Sequence, residues 1–166
     1  MLPSLIEASH AVATTATTAV NDDFNINTQP VIGILSQPLP SSLRDDPRFA
    51  GKTTYLMQAY VDFMEAAGAR VIPIASDEAD SVTADKLAQV NGVLFPGGGG
   101  DYMAKGDYIY KQLIAENDAG HFYPLWGTCL GHENLAKLAA TNGSPLTKLE
   151  SNEQSLTLDF LVDDPK

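Results

Sequence analysis

The sequence predicts an α/β fold: a three-layer sandwich with helices on both faces of a mostly parallel central sheet. Three observations predict it. The short apolar runs Val31–Leu35, Val71–Ile74 and Val93–Phe95 read as strands buried on both sides, the pattern of parallel sheets. Helical periodicity fills the stretches between them, so strand and helix alternate as right-handed crossovers require. Finally, strand signals run straight into glycine-rich turns at Pro96-Gly97-Gly98-Gly99-Gly100-Asp101 and around Cys129. Such turns lie on the carboxyl edge of an open α/β sheet, where ligands bind.

Composition bounds the possibilities. A chain of 166 residues, 44% apolar and 19% charged, is one globular domain that buries about 70% of its unfolded surface. Ten basic against twenty-one acidic residues give a net charge of −11, which repels phosphate backbones and argues against a nucleic-acid partner. No apolar run reaches the roughly 18–20 residues that span a bilayer. One cysteine excludes an intramolecular disulfide and any multi-cysteine metal site. Residues 1–29, rich in Ala, Thr, Asn and Asp, read as a flexible leader or a degenerate signal or pro-segment, lacking a basic n-region and carrying Glu7 in the apolar part. The folded domain is expected over residues 30–166.

In order, the strand at Val31–Leu35 is followed by a loop from Leu39 to Gly51 with Pro40 and Pro47. From Thr53 to Ala67 the apolar residues Leu56, Tyr60, Phe63, Met64 and Ala67 form one helical face, and Gly68 is a natural stop. In the second strand, Pro73 points to a strand end or a sheet edge. Thr83–Val90 reads as a short helix capped by Thr83. Tyr108–Ala119 reads as a helix capped by Asp107. Phe122-Tyr123-Pro124-Leu125-Trp126 suits a buried strand, and Asn134–Ala140 a helix. Leu156–Leu161 alternates like a half-exposed strand and stands as the opening of a further unit, so the fold is expected to be incomplete at the C-terminus. Asn142-Gly143-Ser144 is a formal glycosylation sequon and also ordinary turn chemistry.

The chemistry gathers at Trp126-Gly127-Thr128-Cys129-Leu130-Gly131-His132-Glu133. Glycines two residues either side of the cysteine give the thiol counterpart of the G-x-S-x-G nucleophile elbow, where a strand turns tightly into a helix and exposes its apex. A cysteine there meets the partial positive charge of the helix start, which favours a thiolate. The glycine run after Phe95 can be a flexible turn or a phosphate cradle, but it lacks the following Gly-Lys-Ser/Thr of a P-loop. Beside an elbow cysteine it fits an oxyanion hole, with the second N–H from Leu130. Acyl transfer also needs a base. Of the three histidines, His10 lies in the leader, His121 precedes the strand at the wrong end of the sheet, and His132 is fixed on the elbow helix. None is a convincing general base, and His132 fits a packing or supporting role better.

Phe95-Pro96-Gly97-Gly98 with Trp126-Gly127-Thr128-Cys129-Leu130-Gly131 resembles gamma-glutamyl hydrolase (folate polyglutamate hydrolase, peptidase family C26), a branch of the class I glutamine amidotransferase-like superfamily. Supporting matches are Gly33-Ile34-Leu35 with Gln37, the helix through Ala59-Tyr60-Val61 to Ala67-Gly68-Ala69-Arg70-Val71, and Asn91-Gly92-Val93-Leu94-Phe95. The resemblance implies a class I glutamine amidotransferase-like, flavodoxin-like sheet. It implies hydrolysis of the γ-linked glutamate tail of poly-γ-glutamylated folates through a thioester on Cys129. It implies no metal or organic cofactor. Oxyanion donors carry over to Gly98 and Leu130, and substrate-site positions to Tyr55 and Glu133. The family's catalytic histidine lies in a Trp-His-Pro-Glu-like stretch beyond the C-terminus of this chain, so an inactive fragment is one alternative. His132 is the habit of glutaminase domains, which is the other. A homodimer and a vacuolar, lysosomal or extracellular location are further implications.

Overall fold

A computed structural model describes residues 27–141 and 145–157. Residues 1–26 of the expected leader, the sequon at Asn142 and residues 158–161 of the last strand signal lie outside the described residues, while Leu156 and Thr157 form no strand. The chain runs β1 (Val31–Leu35), β2 (Gln37–Pro38), α1 (Ser41–Arg44), β3 (Thr54–Tyr55), α2 (Gln58–Ala66), β4 (Arg70–Ile74), α3 (Asp80–Leu87), β5 (Gly92–Phe95), α4 (Met103–Asp118), β6 (Leu125–Gly127) and α5 (Leu130–Ala139).

Four strands form one parallel sheet in the order β4-β1-β5-β6, and β2 and β3 form a separate antiparallel pair. The α/β fold with a parallel central sheet is therefore the one expected. Alternation along the strands sorts side chains to two faces. Leu35, Ile74, Val93 and Phe95 point into a core closed by Leu87 of α3, Tyr102, and Ile109 and Leu113 of α4, with Leu130, Leu135 and Leu138 of α5 packed against it. α2 lies against β4 and β1 on the other face. Pro73 sits in the edge strand β4, as its missing N–H requires.

Several boundaries differ from the sequence reading. α2 begins at Gln58 rather than Thr53, because Thr54 and Tyr55 extend to pair with Gln37 and Pro38, and Leu39 N–H bonds to Thr53 O at 2.7 Å. Phe63, expected on the buried face, is 64% exposed. Thr83 is no cap. It is fully buried inside α3, where its hydroxyl donates to Glu78 Oε1 at 3.1 Å. α4 starts at Met103, five residues before Tyr108, with Gly106 lodged against the Phe95 ring. Asp107 pairs with Lys111 one turn on instead of capping.

The strand expected over Phe122–Trp126 is only Leu125–Gly127, and it is not buried on both sides. Phe122 is 89% exposed and Trp126 is 65% exposed. β6 is the sheet's outer strand, and on the Trp126 side α2 packs chiefly on β4 and β1.

Candidate active site

In the order β4-β1-β5-β6 the connections leave β1 in opposite directions: through α2 to β4 on one side, and by β4 and α3 to β5 on the other. The gap between the carboxyl ends of β1 and β5 is thus the topological switch point, where open sheets bind ligands. Gln37 follows β1 and Pro96–Gly100 follow β5 at that gap. β6, next to β5, delivers Cys129 to the same edge.

The elbow forms as its spacing demands. Cys129 adopts φ 51 and ψ −116, a left-handed conformation that only glycine visits cheaply, and α5 begins at the next residue. The flanking glycines are required by backbone, not by side chains that could yield. A Cβ on Gly127 would lie 2.6 Å from the Gly131 carbonyl group, and one on Gly131 would run into the Phe95 carbonyl. Thr128 N–H bonds to Phe95 O at 3.1 Å and Gly131 N–H to Thr128 O at 2.9 Å, which ties the turn to the end of β5. The thiol-bearing residue is exposed.

The glycine run stands against the nucleophile. A Cβ on Gly97 would lie 2.8 Å from the Cys129 Cβ and 2.7 Å from the Tyr60 hydroxyl. Four of its backbone groups are held. Tyr102 donates its phenol to Pro96 O at 2.6 Å, and Gly97 N–H donates to Tyr60 Oη at 2.7 Å. Gln37 Nε2 donates to Gly97 O at 2.5 Å, and Gln37 Oε1 accepts from Gly100 N–H at 3.2 Å. Burial, the largest effect, and the neighbouring Tyr60 and Cys129 raise the Tyr102 phenol well above the usual tyrosine value, so it remains a donor. Among the described residues neither Gly98 N–H nor Leu130 N–H has an acceptor within the protein.

The other residues singled out from sequence are distributed around this centre. Tyr55 pairs with Gln37 in β3 and lines a cleft of about 270 Å³ with Arg44, Gly99 and Gly100. A second cleft, about 350 Å³, lies between Gly99, Asp101, Leu130, Asn134 and Lys137. Glu133 is exposed in the first turn of α5, its N–H bonded to Cys129 O at 3.0 Å. His132 is exposed, and His121 pairs with Glu116 at 2.8 Å before β6, at the opposite end of that strand from the cysteine. Sequence reasoning did not find Tyr60 as a site residue. Its place on the apolar face of α2 read as core, though it carries the one hydroxyl on that face. No group of three or more His, Cys, Asp or Glu that could hold a metal ion occurs among the described residues.

An exposed cysteine at a strained strand–helix turn, with unbonded N–H groups on the glycine loop and at the start of α5, has the parts that attack on a carbonyl carbon needs. The peptidase C26 family model matches residues 30–159. Gamma-glutamyl hydrolase B of Dictyostelium discoideum is 39% identical over 141 residues, 81% of this chain and 40% of that protein. Gamma-glutamyl hydrolase 1 of Arabidopsis thaliana is 37% identical, over 84% of this chain and 40% of its own. The gamma-glutamyl hydrolase of Homo sapiens is 33% identical, over 80% and 42%. The chain thus spans about two fifths of the length of the curated relatives it matches.

Proposed function

Because this chain belongs to the peptidase C26 family, we propose that it carries the nucleophile and oxyanion hole of a γ-glutamyl hydrolase acting on poly-γ-glutamylated folates. The observation that carries the reading is the left-handed Cys129 at the start of α5, with the glycine run packed against it. The sulfur attacks the γ-carbonyl carbon of a glutamyl unit, and the carbonyl oxygen takes up negative charge between the N–H groups of Gly98 and Leu130. Collapse breaks the C–N bond, the amine leaves with a proton, and water hydrolyses the γ-glutamyl thioester. Each such donor is worth about 3–4 kcal/mol in the transition state. A histidine outside the described residues acts as general base and acid, since His121 stands at the far end of β6 and His132 is fixed on α5. Tyr55 and Glu133 contact substrate at the rim. A homodimer, and action in a vacuole, lysosome or outside the cell, belong to the same reading.

The test uses the protein that contains this chain in full. Glutamate release from a poly-γ-glutamylated folate is expected, with loss of more than about 10³-fold in Cys129→Ala, the scale of removing a nucleophile. Unchanged release in the variant would sink the mechanism. His132 favours one second reading, a glutaminase domain, which predicts ammonia from free glutamine instead.

A further inference from the structure

Gln37 is 1% exposed, and its carboxamide makes both of its possible kinds of hydrogen bond to one loop, sixty residues away in sequence. Nε2 donates to Gly97 O at 2.5 Å and Oε1 accepts from Gly100 N–H at 3.2 Å. The first of these bonds has a geometric consequence. Gly97 O and Gly98 N–H belong to the same planar trans peptide, so they point in opposite directions. Holding the oxygen on Gln37 therefore turns the Gly98 N–H away from Gln37. Glycine on both sides makes rotation of that peptide easy, and Gly98 already sits at φ 142, open only to glycine. A Cβ there would collide with the Gln37 amide, so the loop lies directly on that side chain. Gly97 N–H is fixed independently by Tyr60.

We infer that Gln37 is a positioning residue that sets the direction of the Gly98 N–H, and thereby assembles the oxyanion hole across the switch point between β1 and β5. This rests on the γ-glutamyl hydrolase reading for its effect on rate, but not for the peptide orientation. Gln37 does not touch the reacting atoms. It excludes the flipped peptide, in which a carbonyl would face the forming oxyanion and repel it.

The test compares Gln37→Leu and Gln37→Glu in the protein containing this chain. In Gln37→Leu, kcat for glutamate release falls about 10²-fold, the scale of one lost oxyanion donor, with KM within about threefold. In Gln37→Glu, an ionised carboxylate offers only acceptors and repels Gly97 O. The protonated acid can donate to that oxygen and accept from Gly100 N–H again. The kcat ratio of Gln37→Glu to wild type is therefore expected to rise about tenfold or more as pH falls, while the Gln37→Leu ratio stays flat. Taking the ratio at each pH removes the titration of the shared catalytic groups. A flat ratio for Gln37→Glu, or a wild-type kcat in Gln37→Leu, overturns the inference. Crystal structures of wild type and Gln37→Leu read the peptide directly: a Gly97 carbonyl turned from its wild-type direction supports it, and an unchanged one overturns it. If the wild type releases no glutamate, the functional reading fails, and the crystallographic comparison still decides the orientation.

Discussion

At Cys129 the backbone is held at φ 51 and ψ −116, a conformation that costs a non-glycine residue on the order of 1–3 kcal/mol. The chain retains that strain where it lifts the thiol off the end of β6. Cys129→Gly is therefore expected to unfold at a higher temperature than Cys129→Ala, although both lack the nucleophile, and calorimetry of the pair reads the difference. The neighbouring glycines follow a different rule. A methyl group on Gly131 meets the Phe95 backbone, and one on Gly127 meets the Gly131 backbone at 2.6 Å. Neither backbone can step aside, so Gly127→Ala and Gly131→Ala should each cost at least the ~1–3 kcal/mol of ordinary overpacking. Gly99→Ala, with nothing within 4 Å of its Cβ, should stay within about 0.5 kcal/mol of the parent. Urea denaturation of the three variants tests the ranking. The elbow spacing was legible because it is a covalent pattern within five residues. Tyr60 was not, since a tyrosine at helical period reads as core until its hydroxyl is seen on Gly97 N–H.

At the scale of elements, α3 and α4 are joined by one buried cation. Lys105, its side chain 6% exposed, binds Asp80 at 2.5 Å and Glu78 O at 2.8 Å, and its ammonium lies 5.4 Å from the Tyr108 ring centroid. The start of α3 is thereby clamped to the start of α4. Asp80→Ala leaves that ammonium short of its anion and should cost about 1–3 kcal/mol, less if water reaches the exposed Asp80 side. Lys105→Met removes the charge and keeps the stem, so it should cost less than Asp80→Ala; chemical denaturation of both decides. Contacts of this kind also explain a misplaced boundary. Tyr102, Lys105 and Gly106 look like loop residues in sequence, yet they form the cap and first turn of α4 because Phe95, Asp80 and Pro96 receive them. Thr83 likewise read as a cap and is instead an interior residue bonded to Glu78.

Over the whole molecule, burial of tyrosines links the core to alkaline pH. Burial, with Glu116 nearby, pushes the Tyr123 phenol from 10.0 up to about 12, and its hydroxyl donates to Leu87 O at 2.6 Å. Burial raises Tyr102 in the same direction. The folded state then holds these protons more tightly than the unfolded chain. The contribution is complete below the ordinary tyrosine value and is lost as pH rises through the folded one. Stability should therefore fall between pH 10.0 and about 12. Tyr123→Phe should flatten the slope while lowering stability at neutral pH by the lost hydrogen bond, about 1 kcal/mol; denaturant midpoints across that pH range measure both. Trp126 reports on the outer strand. At 65% exposure the single tryptophan should be freely quenched by acrylamide in this chain, and protection from quenching would contradict an open β6 face.

By itself the sequence determined the runs of β1, β4 and β5, the α/β class, the elbow cysteine and the glycine loop. Each of these is a local pattern of burial period or of backbone freedom within a few residues. Tertiary structure alone decided that Gln37 meets Gly97 and that Tyr60 reaches the same peptide. It also decided that Trp126 lies on an open face, and that helices begin where they find partners. The reason is the strand order β4-β1-β5-β6. It is set by long-range pairing that leaves no mark on neighbouring residues, yet it brings the ends of β1, β5 and β6 to one edge and makes a site of them.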